Sequence, residues 1–388
     1  MQRPHVALII ETSRAYGRGL LDGIVKFMRT RQSWITYHQD RGLSDESPVW
    51  LEDLQIDGLI ARVDSVALSR KIEQLDVPTV DLRGLHKLNG IPLIETNDRM
   101  VIRLAFDHLR ERGFNRFAFC GFPNVNYSDR RLEYSKEFAS ESNVVLDIYG
   151  EGHEQQSSST VDAEVAGVIE DASLTKWIQS LETPIGIICC NDIRGRQVLH
   201  ACNSAGVHVP DEVAVVGVDN DEILCGLCDP PLSSVEPNTK LIGYRAAEVL
   251  SSWMDGTAPT KSVEFVDPIG VVSRRSSDSV LVEDPELALA IRIIRDHACR
   301  GITVSQLVKM LPISRTALEK RFQKHLQTSP KLEINRVRLL RIKQLLRETN
   351  DTLTEIASAT GFRHPEYMNE FFKCKTGKTP GAYRQLQS

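Results

Sequence analysis

The chain of 388 residues is too long for one ordinary hydrophobic core and predicts two or three domains. Hydrophobic residues make up 41% and charged residues 26% of the sequence, a composition that excludes a disordered chain. The net charge of -5 conceals a division, because residues 285–388 hold 19 basic and 9 acidic residues, leaving 28 basic and 43 acidic residues before them. An acidic part followed by a basic part indicates two different partners, the second being a polyanion such as nucleic acid, unless the basic helices only present a solvated face.

The cellular compartment is predicted from what the sequence lacks. No apolar run approaches the roughly 18 residues that a membrane-spanning helix needs, and no secretory signal precedes the first predicted strand. The eight cysteines form no pattern of a disulfide framework. We therefore expect a cytoplasmic protein with no membrane partner.

Short apolar runs alternate with amphipathic segments over the first 280 residues. Nearly every position in these runs is apolar, which is typical of parallel strands covered on both faces. The runs are His5–Glu11, Gly58–Ala61, Pro78–Asp81, Arg116–Gly121, Ile185–Cys190 and Val213–Val218, and helical spacing follows in Leu20–Phe27, Met100–Arg112 and Arg194–Ala205. The pattern predicts an α/β fold with doubly wound parallel sheets in two lobes, and a ligand site between the lobes at the carboxyl ends of the strands.

Polar residues follow three of the predicted strands. Glu11 begins the first such segment, Asn191 and Asp192 follow the fifth strand, and residues 219–221 follow the sixth. Carboxylates and amides form paired hydrogen bonds with hydroxyl groups, and an aromatic ring such as that of Tyr16 covers the apolar face of a sugar. Each group alone is more typical of loop capping, but the three together predict a site for a neutral polyol.

Two other motifs resemble a dinucleotide site and a metal site but do not fit either. Gly17, Gly19 and Gly23 follow the first strand, but their spacing departs from the dinucleotide-binding pattern and they begin too far beyond Glu11 for a tight phosphate turn. The Cys225-x-x-Cys228 motif has no second pair at metal-binding spacing. Because no catalytic motif is present either, the sequence predicts no metal, no cofactor and no catalytic residue.

The basic C-terminal region contains a predicted helix-turn-helix unit. Thr303 and Gln306 form a capping box before a short helix that Pro312 ends. Ser314 then caps a second helix that continues to about Leu326. A short helix, a tight turn and a capped second helix are the plan of a DNA-binding helix-turn-helix.

The same pattern is repeated further along the chain. Thr352 and Glu355 form a second capping box, Gly361 makes the turn, and Pro365 opens a helix through Lys375. Between the units, residues 330–348 predict a long helix with an inward face of Leu339, Ile342, Leu345 and Leu346. Two tandem units in a basic segment predict DNA binding, the alternative being a helical bundle for protein contacts. We accordingly place a sensor and dimerisation domain at 1–275, a polar linker at 276–285 and the DNA-binding domain at 286–388.

The C-terminal region resembles the AraC-type DNA-binding domain. Residues 314–322 match the first recognition helix of that family, and residues 361–373 with Gly377–Pro380 match its second-unit signature. Glu370 departs from the basic or small residue usual there. The resemblance implies contacts to double-stranded DNA, with RNA polymerase as a further partner, from Arg315, Thr316, Glu319, Lys320, His364, Glu366 and Asn369.

The first 280 residues resemble the LacI/GalR-type periplasmic-binding-protein fold, notably in residues 213–220 and 272–276. The whole chain is similar to the xylose operon regulators, which implies D-xylose as inducer, a homodimer and activation of pentose-use genes. The same resemblance implies ligand contacts from Ser13, Tyr16, Asn97, Arg131, Asp192, Asp219 and Asn220, with Arg130 as a rival for Arg131. Glu11 and the Asn97-Asp98 pair depart from the family pattern, which leaves open a different pose or a different sugar.

The sequence therefore predicts a sugar-responsive DNA-binding regulator and not an enzyme. Sugar bound between the lobes would favour their closure and reorient the DNA-binding domains of a dimer on an operator with direct-repeat-like half-sites. A LacI-like repressor, a regulator that responds to another pentose or hexose, and a sugar-acting enzyme are the alternatives.

Overall fold

The computed structural model describes residues 3–42, 48–51, 54–86, 88–150, 172–278, 284–326, 328–349 and 351–385. The chain divides into two compact units, Met1–Val280 and Leu281–Ser388. Within these described ranges, no helix is long and apolar enough to cross a membrane.

The first unit is an alternating α/β structure. Its described strands are β1 His5–Ile9, β2 Ile35–His38, β3 Gly58–Ala61, β4 Thr79–Asp81, β5 Leu93–Thr96, β6 Phe117–Cys120, β7 Leu146–Ile148, β8 Ile185–Cys189, β9 Val213–Val218, β10 Ser233–Glu236, β11 Val263–Val266 and β12 Gly270–Val272. Its described helices are α1 Ala15–Thr30, α2 Val66–Leu75, α3 Asp98–Arg110, α4 Asn126–Ser142, α5 Ala172–Ser180, α6 Asp192–Ala205, α7 Glu222–Leu227 and α8 Thr239–Met254.

These strands form two six-stranded sheets, one in each lobe. The first has the order β2-β1-β3-β4-β5-β11 and the second the order β7-β6-β8-β9-β10-β12, with only the β10–β12 pairing antiparallel among the described strands. Alternate residues of β1 enter different cores, because Val6 and Leu8 pack in the cluster with α1 and α8, whereas Ala7 and Ile9 pack in the cluster with α2. The predicted fold of two doubly wound lobes is confirmed.

Six of the twelve described strands are not among the predicted ones. Their sequences lack a continuous apolar run: β2 lies at a sheet edge and is largely exposed, and β10 begins with two buried serines. Ser233 and Ser234 are tolerated inside because they hydrogen-bond to neighbouring segments, which a hydrophobicity pattern cannot show.

The chain crosses between the lobes at three adjacent segments. They join β5 to α3, β10 to α8, and β11 to β12. The amide of Asn97 donates to the carbonyl oxygen of Val266 at 2.8 Å, and that of Ile269 donates to the carbonyl oxygen of Glu236 at 2.8 Å. The Asn97 side chain also donates to Asp267 at 2.8 Å. The three crossings are therefore hydrogen-bonded to one another and form a hinge between the lobes.

The glycines after the first strand allow two helices to pack closely. Helix α1 packs against α8, and a Cβ atom at Gly23 would lie 2.1 Å from the carbonyl oxygen of Lys240. A Cβ atom at Gly243 would lie 1.9 Å from the carbonyl oxygen of Leu20. Both distances are far below van der Waals contact with rigid backbone, so these glycines serve helix packing.

Gly23→Ala is expected to destabilise the first unit. The added methyl must push α1 away from α8, and overpacking of this kind costs about 1–3 kcal/mol, which lowers the melting temperature by several degrees. Gly226→Ala is the control, since no atom lies within 4 Å of the position that its Cβ would take. Thermal melts measure both, and equal melting temperatures for Gly23→Ala and the unmodified protein would contradict the packing argument.

The second unit is helical. Its described helices are α9 Pro285–His297, α10 Val304–Lys309, α11 Arg315–Leu326, α12 Pro330–Glu348, α13 Leu353–Ala359, α14 Pro365–Thr376 and α15 Pro380–Gln385. The capping boxes predicted at Thr303 and Thr352 are both confirmed. Each helix-turn-helix has its own core, and α12 contributes Ile334 to the first and Ile342 to the second.

Contacts at Arg338 and Gly361 join the two helix-turn-helix units. The Arg338 guanidinium donates to the carbonyl oxygen of Ala298 at 2.9 Å and lies 5.4 Å from the centre of the Phe362 ring. Gly361 has a φ of 76°, and a Cβ atom there would lie 2.8 Å from the Gly301 nitrogen. Arg338 therefore joins the two helix-turn-helix units and does not add to an exposed basic face.

Both ends of the predicted linker 276–285 belong to folded elements. Ser276 and Ser277 are fully buried, and their hydroxyls donate to the carbonyl oxygen of Val215 at 2.6 Å and to Ser233 Oγ at 2.7 Å. At the other end, Asp284 caps α9 by accepting from the Leu287 amide at 3.1 Å. Residues 279–283 lie outside the described ranges.

Candidate functional site

A polar cavity of about 90 Å³ lies between the two sheets of the first unit. Residues from both lobes line it, and most follow the carboxyl end of a parallel strand, where ligands of doubly wound folds bind. The lining residues are Glu11, Arg14, Ala15, Tyr16, Arg62, Leu82, Arg83, Glu95, Thr96, Asp98, Asn126, Tyr127, Arg130, Arg131, Asn191, Asp192, Ile193, Asp219, Asp221 and Leu224. A water-sized group needs about 10–15 Å³ of this kind of volume. The cavity therefore has room for a small ligand and not for an oligosaccharide.

The structure brings four of the seven predicted ligand residues to this cavity. Tyr16 comes from the first lobe, and Arg131, Asp192 and Asp219 come from the second. Arg130, the predicted rival of Arg131, lines the cavity as well.

The other three predicted ligand residues do not line the cavity. Ser13 is exposed. Asn97 caps α3 by accepting from the Met100 amide at 3.3 Å, so its side chain is engaged at the hinge. The side-chain oxygen of Asn220 accepts from the Arg274 guanidinium at 2.9 Å inside the second lobe. Sequence position near a strand end does not fix where a side chain points, so a sequence pattern cannot separate these three from the others.

Two neighbouring arginines of α4 share one carboxylate. Arg131 Nε donates to Asp98 Oδ1 at 2.8 Å, and Arg130 donates to Asp98 Oδ2 at 2.8 and 2.9 Å. Arg130 also pairs with Glu95 at 2.9 Å. Burial raises the pKa of Glu95 to about 7, and Arg130 opposes that shift. Both oxygens of Asp98 are therefore used to orient the arginines that face the cavity.

Arg131 is buried and remains charged. Burial disfavours its charge, but Asp98 and Asp219 hold the pKa of its guanidinium above the ordinary value. It donates to the carbonyl oxygen of Cys190, and it lies 5.2 Å from the centre of the Tyr127 ring. These contacts fix one cationic donor on the second lobe.

The first lobe contributes an aromatic surface. The Tyr16 hydroxyl is 2.8 Å from Thr96 Oγ1, and burial raises the pKa of that hydroxyl. The Arg62 guanidinium pairs with Glu11 and lies 4.8 Å from the centre of the Tyr16 ring. Burial, followed by the nearby charge of Arg83, lowers the pKa of Arg62 to about 9. Glu11 thus balances the charge of Arg62, which is buried and lies near a second arginine.

Asp192 lies at the start of α6 in a fully buried position on the second lobe. Its Oδ1 accepts from Ser234 Oγ at 2.5 Å, and its Oδ2 accepts from the Asp221 amide at 2.8 Å. Burial, followed by the negative charge of Asp219, raises the pKa of Asp192 to about 8. Burial and the neighbouring charge therefore both favour the neutral acid over the carboxylate at this position.

Asp192→Asn tests this protonation state. A carboxyl whose pKa rises from about 4 unfolded to about 8 folded binds more protons in the folded state, so its contribution to the free energy of unfolding decreases as pH rises through that window. Asparagine resembles the protonated acid and has no such loss. We measure the melting temperatures of the variant and of the unmodified protein, both without sugar. We expect the value for the variant minus the value for the unmodified protein to increase between about pH 5 and about pH 8. A constant difference across these pH values would contradict the raised pKa.

Several cavity residues are absent from the sequence-based prediction. Arg62 directly follows β3, Arg83 is the second residue after β4, and Glu95 lies within β5. Asn126 and Tyr127 begin α4. Positions just after predicted strands are a signal that sequence reasoning could have used for Arg62 and Arg83, as it did for Glu11, whereas β5 was itself not predicted and Glu95 had no such signal.

The second unit exposes polar residues on α11 and α14. Arg315, at the start of α11, donates to Glu319 at 2.9 Å, and both side chains are largely exposed. Thr316 and Lys320 are exposed on the same helix. The polar first turns of helix-turn-helix second helices are the usual sites of base contact.

The equivalent surface of α14 is similar. His364 and Glu366 are exposed at its start, and Asn369 is half-buried one turn later. Tyr367, which the sequence motifs did not single out, is 65% exposed between them and stacks edge-on against His364, with ring centres 5.8 Å apart. The second helix of each helix-turn-helix unit thus presents a polar surface.

The two units match two different families. Residues 106–277 match the family model of the periplasmic binding protein-like domain. Residues 307–386 match the family model of the helix-turn-helix domain.

Full-length relatives combine both units. The xylose operon regulatory protein of Escherichia coli (strain K12) is 31% identical, over 100% of this chain and 98% of the relative. The protein of the same name from Haemophilus influenzae is 30% identical, over 98% and 97%. The solved structure of a xylose-binding transcription activator matches with a TM-score of 0.76 and 28% identity, over 100% of this chain and 99% of that chain.

These relatives are regulators of transcription, which confirms the prediction of a regulator and not an enzyme. The order of the two matched domains is also the predicted one. From this full-length similarity, the chain belongs to the family of xylose operon regulatory proteins.

Proposed function

We propose that this regulator senses D-xylose in the cavity of its first unit and transmits that signal to DNA through its second. The observation that supports this most directly is the cavity between the two lobes, in a chain similar along its full length to a xylose-binding transcription activator. We assign sensing and dimerisation to the first unit and DNA binding to the second.

The chemistry of the cavity suits a neutral sugar. Glu11, Glu95 and Asp98 are each paired with an arginine, and burial favours the neutral acid at Asp192, so much of the charge that lines the cavity is offset within ion pairs. Such pairs donate and accept hydrogen bonds with hydroxyl groups, and the Tyr16 ring supplies an apolar surface for the sugar ring.

Closure of the lobes about the hinge is the proposed response. Because the lining residues come from both lobes, a sugar that contacts both walls binds the closed state more tightly than the open one. A ligand shifts such an equilibrium only by this difference in affinity. The closed sensor then alters how the DNA-binding units of a homodimer are presented.

The DNA-bound state follows from the two helix-turn-helix units. We propose that α11 and α14 enter successive major grooves, about 34 Å apart, on an operator with direct-repeat-like half-sites. The family resemblance favours activation of pentose-use genes through RNA polymerase, in the cytoplasm where that DNA lies.

A sugar panel tests the ligand. Thermal melts and calorimetry of the full chain with D-xylose, L-arabinose, D-ribose and D-glucose should show binding and stabilisation with D-xylose above all others. Preference for another sugar would replace D-xylose as the inducer, and conversion of the sugar during incubation would indicate an enzyme.

A reporter gene tests the sign of regulation. DNA fragments selected by the purified protein, placed upstream of a reporter with this chain expressed, should give higher expression when D-xylose is present. Expression that is high without the protein and low with it would identify a repressor.

A further inference from the structure

We propose that Arg83 is a specificity-determining ligand residue of the sugar site, where its guanidinium donates hydrogen bonds to oxygen atoms of the sugar. The inference rests on the proposed function, because the sugar is the ligand of the cavity. Neither the sequence motifs nor the family resemblance singled out this residue.

The backbone of Arg83 is held rigidly at the edge of the cavity. The Asp81 carboxylate accepts from the amides of Val63, Arg83 and Gly84 at 3.0–3.2 Å. From the opposite lobe, the Asn126 side chain donates to the carbonyl oxygen of Arg83 at 3.3 Å. The segment is therefore anchored on both sides of the cleft, and its side chain starts from a preorganised position.

The buried Nε atom of Arg83 has no hydrogen-bonding partner within the described part of the chain. The residue is only 7% exposed and lines the cavity, and its buried Nε is unsatisfied. Buried arginines are normally paired, because a desolvated charge without a partner is costly.

Neighbouring carboxylates are already engaged by other arginines. The pairs are Glu11 with Arg62, Asp64 with Arg41, and Glu95 with Arg130. Arg62 itself is a like charge near Arg83, and this repulsion adds to burial in lowering the pKa of Arg62 to about 9. The charge of Arg83, like that of Arg41, opposes the effect of burial on the pKa of Asp64, so Arg83 adds a second cation beside a carboxylate that already has an arginine partner.

A bound sugar supplies hydrogen-bond acceptors for the guanidinium of Arg83. Hydroxyl and ring oxygens accept hydrogen bonds, and a guanidinium offers five donors in a fixed planar arrangement. A site that buries a donor rejects ligands without the matching acceptor, because the donor then stays unsatisfied. Arg83 would thus select sugars with an oxygen at the position that faces the first lobe.

Arg83→Met separates a ligand role from a structural one. Methionine keeps much of the apolar stem but removes the charge. We expect calorimetry of the full chain to show D-xylose affinity lowered by about 10- to 100-fold. At the same time the melting temperature of the sugar-free variant should equal or exceed that of the unmodified protein, since a buried charge with an unsatisfied Nε is removed.

Two further variants complete the experiment. Arg83→Lys keeps the charge without the planar fork and should bind with intermediate affinity. Arg99→Met is the control, because Arg99 is exposed and pairs with Glu137 at 2.7 Å outside the cavity; it should change neither affinity nor melting temperature.

Either of two results would overturn the proposal. Unchanged affinity of Arg83→Met for D-xylose would remove Arg83 from the ligand site, and a lower melting temperature of the sugar-free variant would show a structural role. If the unmodified protein binds no sugar of the panel, the proposed function fails by itself. The melting temperature of sugar-free Arg83→Met then still decides whether Arg83 is structural, because that measurement needs no ligand.

Discussion

Asp219→Ala is expected to abolish measurable D-xylose binding while DNA binding without sugar is unchanged. Asp219 follows β9 and lines the cavity. Besides the dominant effect of burial, its charge acts on the pKa of Arg62, Arg131 and Asp192, so its carboxylate is within electrostatic reach of residues from both lobes.

The size of the effect follows from the chemistry of the carboxylate. An ionised carboxylate can accept from two sugar hydroxyls, and each hydrogen bond to a charged group contributes about 1.5–3 kcal/mol. Loss of two such bonds lowers affinity about 100-fold or more. Gel shifts of sugar-free protein should be unaffected, because the helix-turn-helix residues belong to the second unit.

Two further variants are compared with Asp219→Ala. Asp219→Asn is the less strained substitution, and Asp107→Ala is the control. Asp219 has a φ of 106°, a backbone conformation that Asn tolerates better than Ala, so Asp219→Asn removes the charge with less strain. Among the described residues, Asp107 forms exposed ion pairs with Arg103 and Arg110 on its own helix α3. Calorimetry should show weak or no binding for both Asp219 variants and normal binding for Asp107→Ala, and normal xylose affinity of Asp219→Asn would refute the role of the carboxylate.

Arg315→Ala is expected to weaken operator binding by about 1–3 kcal/mol, which is about 5- to 150-fold, and to relax sequence specificity. Arg315 opens α11, where its side chain is 63% exposed and oriented by Glu319 at 2.9 Å. An exposed arginine at this position can donate two hydrogen bonds to a guanine edge in the major groove.

A matched control separates base contact from general charge. Arg103 forms an i,i+4 pair with Asp107 in the first unit, at 3.7 Å and with similar exposure. Arg103→Ala removes the same charge from a similar pair and should leave the operator affinity unchanged. Gel shifts with a DNA fragment selected by the unmodified protein, and with the same fragment carrying single base changes, measure both effects; an identical profile for Arg315→Ala would contradict direct readout.

The architecture could be predicted from the sequence because it depends on local patterns. Apolar runs between helical segments indicated six of the twelve described strands, three in each sheet, and capping boxes at Thr303 and Thr352 indicated the helix-turn-helix units. These signals come from burial on two faces and from unsatisfied helix termini, and both are determined within a few residues. Edge and polar strands such as β2 and β10 lack the signal, so a pattern of apolar runs misses them.

The composition of the site was decided by tertiary structure. Asp192 and Asp219 could be predicted because they follow apolar strands, but Asn220 follows the same strand as Asp219 and its side chain bonds to Arg274. Arg83 has no recognisable motif, and only the fold shows that its guanidinium is buried at a cavity with an unsatisfied Nε. Side-chain direction, ion pairing and burial depend on residues far apart in the chain, so the sequence by itself determined the two folded units and their order, and only the packing of the two lobes decided which side chains meet the ligand.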